Sequence, residues 1–507
     1  MAIADRLYRR LFAVTMYKNK RLHLAEMSFS KDFVRDRRGD MYPVLEKCGE
    51  FEETTGDGKY LFRGDGARIR RLIGGHFPYA SYEMEVDSLP GSCGFAFLAP
   101  RGSFAVRFFV RDGRLFCKGE ADIEPLGDDL PPISGLNDSQ TYLLPGDEAD
   151  TGFDFAPGMR LIVTARREYF DLYADTGAGP VHFASYRADE FADMDRQAVF
   201  EQTKAVLEVG GGAQIGAVKM YMDCGVSQAD IRPIRYENGE IMVENGRVYL
   251  TMSVRMHAQC YQGIFAWIPG TDEFELTGAL FFDTGDGRWC ADVASSILYH
   301  RGRREWLVWM CAFSHGHVLA HGVSRGDVRF GVNVVDVELM RLMPQGADDT
   351  LFLGKPGDED PDLLFDEKSG KWLLTVCRPL GWEKEKPYRY FLFASDDPFD
   401  GYRFIAHTLN GSETGGSIVP DEDGYCFICG SGFDRRAEYH AYRLPDMTKY
   451  ELLCCDHDDG GFRGWGTVMP IWCGSRRRIF WLTFDRHKGS DFNWSYGNIY
   501  CFEAIGK

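Results

Sequence analysis

Apolar and polar residues alternate in short runs along almost the whole chain, and this period of two predicts strands rather than helices. Runs such as YASYEMEV, FAVRFFV, RLIVTA and YFDLYAD are rich in β-branched and aromatic residues, and DG, NG, GG and PG punctuation separates them. From about residue 45 to 229 the runs succeed one another without a repeat, which predicts two antiparallel sheets packed as a sandwich. From residue 230 onward a period appears. Five segments share one plan: an acidic or polar residue, a short apolar strand, a tight turn, then an aromatic-rich strand. They start at Glu240, Asp292, Asp360, Glu413 and Trp465, successively 52, 68, 53 and 52 residues apart. A further pair of strands follows each of the first four. Four strands per unit at this period predict a blade, and five units predict a five-bladed β-propeller. The fifth segment is one strand short, so a strand upstream of Glu240, IRPIRY, is expected to complete it and close the ring. The fold class is therefore all-β, with a basic arm over residues 1–44, a sandwich over 45–229 and a propeller over 230–507.

Composition narrows the function. At 507 residues the chain is too long for one ordinary domain. Asp and Glu outnumber Lys and Arg by 76 to 58, a net charge of −18, which argues against nucleic acid or an anionic membrane as the main partner. Residues 1–38 run the other way, with ten Lys/Arg against four Asp/Glu. This arm lacks the apolar core and cleavage site of a secretory signal, and no stretch is apolar enough for a membrane span, so the expected compartment is the cytoplasm. Fourteen cysteines are too few for a disulfide scaffold. Cys426 and Cys429 form a CxxC inside a strand pattern, where residues three apart point to opposite faces, and a zinc site there is not expected.

The residues that begin the innermost strands of a propeller converge at one mouth of the ring. Here four of the five predicted starts bear carboxylates, phased with the repeat as ordinary surface acids would not be. Acids brought together in a polar funnel either bind a cation or raise one another's pKa, and one then stays protonated near neutrality. That pairing suits hydrolysis of a glycosidic bond, in which one carboxylate activates water and a protonated carboxyl supplies the leaving oxygen's proton.

The Asp-Pro of GDEDPDLLFDEKSGKWLL resembles the third-blade motif of glycoside hydrolase family 43 and its five-bladed relatives of families 32 and 68, and GSETGGSIVPDEDGYCFICGS resembles their fourth-blade segment. The resemblance implies that Glu413 is the general acid and Asp360 the carboxylate that raises its pKa. It also implies a furanoside or pentose-type oligosaccharide as substrate, and it is compatible with a structural Ca²⁺ in the channel, with no cofactor required. Where those families place a first-blade Asp-Pro, this chain reads YENGEIMV, leaving Glu240 and Glu237 as alternatives for the base or nucleophile. The sandwich segment is similar, in strand rhythm alone, to laminin-G and concanavalin-like jelly rolls.

Sugars need flat apolar faces to stack on and planar polar groups at the rim. Asp292, Arg288, Trp289, Arg378, Trp465 and His257 are the candidates beside the predicted blade starts. His315, His317 and His321 in SHGHVLAH, with His487, carry metal-ligating chemistry, but nothing fixes a third ligand and no catalytic metal is expected. No phosphate-cradling glycine loop is present. The expected protein is a glycoside hydrolase acting on a small oligosaccharide, with a homo-oligomer compatible with the sequence. A non-catalytic carbohydrate-binding protein, or a glycoside phosphorylase using Arg288 and Arg378 to hold phosphate, is the alternative.

Overall fold

The computed structural model describes residues 3, 6–33, 41–88, 90–121, 140–143, 146, 148–166, 169–188, 194, 196–257, 259–290, 292–342, 357–379, 388–409, 413–422, 424–431, 439–453, 463–485 and 498–505. Nearly all of the regular structure is strand, as the period-two pattern predicts. The chain divides into two compact units, Arg21–Asp223 and Met1–Lys20 with Cys224–Lys507.

The first unit is a two-sheet sandwich. One sheet runs Glu148–Asp154, Arg114–Ala121, Phe104–Arg111, Ser92–Leu98, Lys204–Gly210, Arg68–Gly75, Val44–Cys48 in spatial order. The other is built around Ala80–Ser88, Met159–Ala165 and Gln214–Asp223. Aromatic rings join the inner faces: Phe97 lies 5.0 Å from Tyr82 and 5.1 Å from Phe170, and Phe108 lies 5.0 Å from Phe170. Along Arg68–Gly75 buried and partly exposed residues alternate, which is how a sheet with one face inward reads in sequence.

The second unit is a five-bladed propeller. Blade I comprises Ser227–Pro233, Arg247–Arg255, Cys260–Trp267 and Phe274–Asp283, from the channel outward; blade II comprises Val293–His300, Glu305–Ala312, Val318–Ser324 and Gly331–Met340. The outermost strands of these two blades pair in parallel, from Gly278 opposite Gly331 to Asp283 opposite Asp336, so blades I and II share one sheet. Blade III is Glu359–Asp366, Lys371–Pro379, Tyr388–Ser395 and Arg403–His407, and blade IV is Glu413–Asp421, Gly424–Ser431, Tyr439–Arg443 and Thr448–Leu453. Apolar clusters seal successive blades, such as Leu298, Trp309, Leu363 and Trp372 between II and III, and Val419, Ile428, Trp481 and Tyr500 between IV and V. Sheets stacked face to face in this way bury apolar surface on both sides, which is why the blade strands read as nearly continuous apolar runs.

Three expectations change here. Blade V consists of Arg463–Cys473, Arg476–Asp485 and Ile499–Ile505, and its fourth strand is Leu7–Val14 from the basic arm, paired antiparallel to Ile499–Ile505. Arginines 9 and 10 disguise this strand as a charged tail, yet Phe12 and Ala13 lie in register with Cys501 and Tyr500. The segment IRPIRY does not close blade V; it runs through Ser227–Pro233 and Arg235–Tyr236, so blade I begins upstream of Glu240. The arm is likewise not one element, because Arg21–Met27 pairs with Gln214–Asp223 in the sandwich.

Candidate active site

All five innermost strands share one local irregularity. In each, three residues of the inner strand span the same distance as two of its neighbour: Ala229 to Arg232, Val293 to Ser296, Glu359 to Asp362, Thr414 to Ser417 and Gly464 to Thr467. This one-residue bulge re-aims the backbone at the channel, as bulges beside functional sites do. In blades I to IV a residue within the bulge is left-handed: Asp230 (φ 57°), Ala294 (φ 60°), Asp360 (φ 53°) and Gly415 (φ 61°). Asp tolerates this conformation better than most residues with a Cβ. The repeat therefore places Asp230 of blade I and Asp360 of blade III at equivalent positions of the ring.

Asp360 is 5% exposed, and its Oδ2 accepts hydrogen bonds from Gly415 N (2.9 Å) and Thr414 Oγ1 (3.0 Å). Burial pushes its pKa up to about 7, and the negative charges of Glu359 and Asp230 push the same way, while the Arg232 guanidinium and the Gly415 N–H oppose them. Asp230, also 5% exposed, accepts from the Ser253 hydroxyl and from Arg255 Nη2 at 3.4 Å. Glu359 lies 2.8 Å from His317 Nε2 and bonds the Tyr388 hydroxyl. Thus three carboxyls share one electrostatic environment at the mouth, and it favours the protonated form of Asp360.

One step below, the channel is closed by charge pairs. Arg232 is 1% exposed and donates to carbonyls of three other blades: Ala294 (3.4 Å), Asp360 (3.0 Å), Gly416 (2.8 Å) and Pro361. Arg235 bonds Ile418 O at 2.7 Å and Asp362 Oδ1 at 2.5 Å, and Asp362 also accepts from Ser296 Oγ (2.9 Å) and Ile418 N (2.7 Å). These two guanidiniums place positive charge on this layer of the channel, and Asp362 and the surrounding carbonyl oxygens accept their hydrogen bonds.

The predicted site residues separate into distinct places. Asp360 is at the mouth. Glu413 is not: it has no exposed surface, and its carboxylate accepts from His440 Nδ1 (2.8 Å) and the Tyr442 hydroxyl of blade IV and from the hydroxyl of Thr408, which follows the outer strand of blade III. The adjacent Thr414, not Glu413, faces Asp360, since side chains alternate along a strand. Glu240 and Glu237 flank a turn after the inner strand of blade I, at the channel end remote from Asp230, where both pair with Arg301. Asp292 sits at the start of blade II, buried, and accepts from Ser314 N (3.1 Å) and Ser314 Oγ (2.7 Å). Trp289 stacks on Phe281 beside it (6.1 Å, 30°), and the half-buried Arg288 precedes it with its backbone N–H on Asp286. Arg378 forms a two-point ion pair with Asp358 (2.5 and 2.7 Å), so it is not a free phosphate-binding group. His257 is buried just beyond the strand Arg247–Arg255. The side chain of Trp465 and the whole of His487 lie outside the described residues.

The histidine-rich segment does not gather into one site. His315 Nε2 faces Asp286 at 3.0 Å, His317 faces Glu359, and His321 stacks on Phe399. Among the described residues, ligand atoms of Glu413, Cys429 and His440 lie close enough together to hold a metal ion. The Glu413 carboxylate is already filled by three donors, and burial holds the Cys429 thiol protonated, well above its ordinary pKa. Asp230, Glu359 and Arg232 were not singled out from sequence. The signal that would find Asp230 and Arg232 is the phase of polar residues 232, 296, 362, 417 and 467, each two positions beyond the bulge residue that faces the mouth in its blade.

Ring topology and mouth together define a five-bladed propeller with a carboxylate pair across its channel. No family model and no curated protein matches the chain. Among solved structures it is similar to a family 117 glycoside hydrolase of Zobellia galactanivorans (13% identity, 54% of this chain and 84% of that one, TM-score 0.38). It is also similar to an α-L-arabinanase of Penicillium chrysogenum (12%, 68% and 90%, TM-score 0.33) and to an α-L-arabinofuranosidase of Podospora anserina (11%, 56% and 91%, TM-score 0.36).

Proposed function

We propose that the protein is a glycoside hydrolase whose chemistry is carried by Asp230 and Asp360. The supporting observation is that two carboxyls on equivalent bulges of blades I and III open on one mouth, with Asp360 poised at about 7. Asp360 in its protonated form donates to the glycosidic oxygen as the bond to the anomeric carbon breaks. Asp230, beside the Arg255 guanidinium, takes the proton of the attacking water, and the two protons re-equilibrate with solvent after product leaves. Glu359, which lies against His317, acts as a positioning residue whose charge favours the protonated form of Asp360, and this gives Asp360 the acid role first assigned to Glu413. In this reading the substrate is a short oligosaccharide of furanoside or pentose type, and the protein acts in the cytoplasm without a cofactor.

The test is a panel of nitrophenyl glycosides assayed with wild type, Asp360→Asn and Asp230→Asn. Turnover that falls at least a hundredfold in both variants, with unfolding temperatures held, supports the assignment; undiminished turnover in either removes that residue from it. The phosphorylase alternative is disfavoured by the engagement of Arg378 with Asp358. The binding-protein alternative predicts sugar binding without cleavage by any member of the panel.

A further inference from the structure

We infer that the face of the propeller opposite the mouth carries a second saccharide-binding site, centred on Trp472. This rests on the proposed function for its ligand class, and on its own geometry for everything else. The innermost strand of blade V ends in a tight hairpin, with Gly474 left-handed at the turn (φ 64°) and Trp472 directly opposite Arg477 across the ladder. Trp472 is 63% exposed, although tryptophan is among the residues that gain most from burial, and the blade's other described tryptophan, Trp481, is fully buried. Its indole forms one wall of a concavity of about 570 Å³ whose other sides are Tyr236, Asn238, Glu240, Pro470 and Arg477.

This is a prepared surface rather than a stray apolar side chain. The turn that carries Asn238 and Glu240 is fixed: Asn238 Oδ1 accepts from Glu240 N (3.1 Å), Tyr236 N bonds Glu240 O (2.8 Å), and the Arg301 guanidinium lies 4.7 Å from the Tyr236 ring while pairing with Glu237 and Glu240. Gly239 is left-handed (φ 86°) and seated so closely on Pro420 that a Cβ would come to 3.0 Å. An exposed indole face next to an amide, a carboxylate and a guanidinium matches a pyranose or furanose ring, whose C–H face stacks while its hydroxyls both donate and accept. Mixed charge at the rim disfavours a purely apolar partner. The volume is within the range of small-ligand sites and suits a few sugar units.

The experiment measures intrinsic fluorescence and acrylamide quenching of the full chain titrated with arabinotriose, cellotriose and β-1,3-galactotriose, using wild type, Trp472→Ala, Arg477→Ala and the mouth variant Asp360→Asn. The expected result is a blue shift and protection from quenching with at least one trisaccharide. That signal persists in Asp360→Asn, disappears in Trp472→Ala and weakens at least fivefold in Arg477→Ala. Nitrophenyl-glycoside turnover stays within twofold of wild type in Trp472→Ala. Binding that is identical in wild type and Trp472→Ala, or no binding of any of the three, overturns the site. Loss of the whole signal in Asp360→Asn overturns it too, by assigning the binding to the mouth. Failure of the glycosidase reading shows instead as absent turnover with Trp472-dependent binding intact.

Discussion

Asp360 and Asp362 lie two residues apart on one strand, point along the same channel, and do different work. Asp362 has no exposed surface and is surrounded by donors: Arg235, Ser296 Oγ and the Ile418 N–H. Asp360 meets one N–H and one hydroxyl, but also the negative charges of Glu359 and Asp230. The first is a compensated buried charge that holds blades together; the second is a carboxyl that keeps its proton near neutral pH. Burial alone does not separate structure from chemistry, because the neighbours decide which form of the acid is favoured.

The largest expected effect falls on the lower layer. Arg232→Met strands carbonyls of three blades and leaves Asp362 with less compensation, costing about 3–5 kcal/mol, seen as a fall of roughly 10 °C or more in unfolding temperature. Next comes Asp360→Asn, which acts in opposite directions on activity and stability. The folded-state pKa of Asp360 is raised, so between about pH 4 and 7 the native state binds more protons than the unfolded state, and this carboxyl's contribution to stability declines as pH rises. The Asn variant is therefore expected to be more stable than wild type at pH 8, by roughly 1–3 kcal/mol, with the difference vanishing toward pH 4. Denaturant titrations at both pH values check this, and a variant less stable at pH 8 would mean that Asp360 is a structural acid like Asp362. Glu413→Gln tests the reassigned acid: it disturbs the bonds to His440, Tyr442 and Thr408 and costs about 2 kcal/mol by thermal unfolding, while the pH limb set by Asp360 stays in place. Smallest is Glu240→Gln, at an exposed ion pair with Arg301, which changes stability by less than about 0.5 kcal/mol and leaves turnover unchanged.

Much of the architecture was legible in sequence because both of its rules are periodic. Alternation gave the strands, and the repeat of about 52 residues gave the blades. The closing strand was hidden because Leu7–Val14 lies at the rim of the ring, where arginines are tolerated on the open side of an outermost strand, so its charge outweighed its pattern. Asp360 was legible through its Asp-Pro. Asp230 was not, since an isoleucine follows it and the prominent Asn-Gly turns downstream drew the start of blade I to Glu240. Glu413 lies one step of the strand from Thr414, and that step carries its side chain into the blade while Thr414 reaches Asp360. Arg232 was passed over because its partners are backbone carbonyls of other blades, which leaves only its phase with polar residues 296, 362, 417 and 467 to mark it.

The most direct test of the central claim is the pH dependence of kcat/KM for wild type and for Glu359→Gln on whichever nitrophenyl glycoside is cleaved. With Asp360 as the proton donor, the wild-type rate falls as pH rises through about 7. Removing the neighbouring charge of Glu359 moves that limb to lower pH, because a repulsion that raised the pKa of Asp360 is gone. A limb that stays where it was in Glu359→Gln, or that moves only on replacing Glu413, would contradict the account.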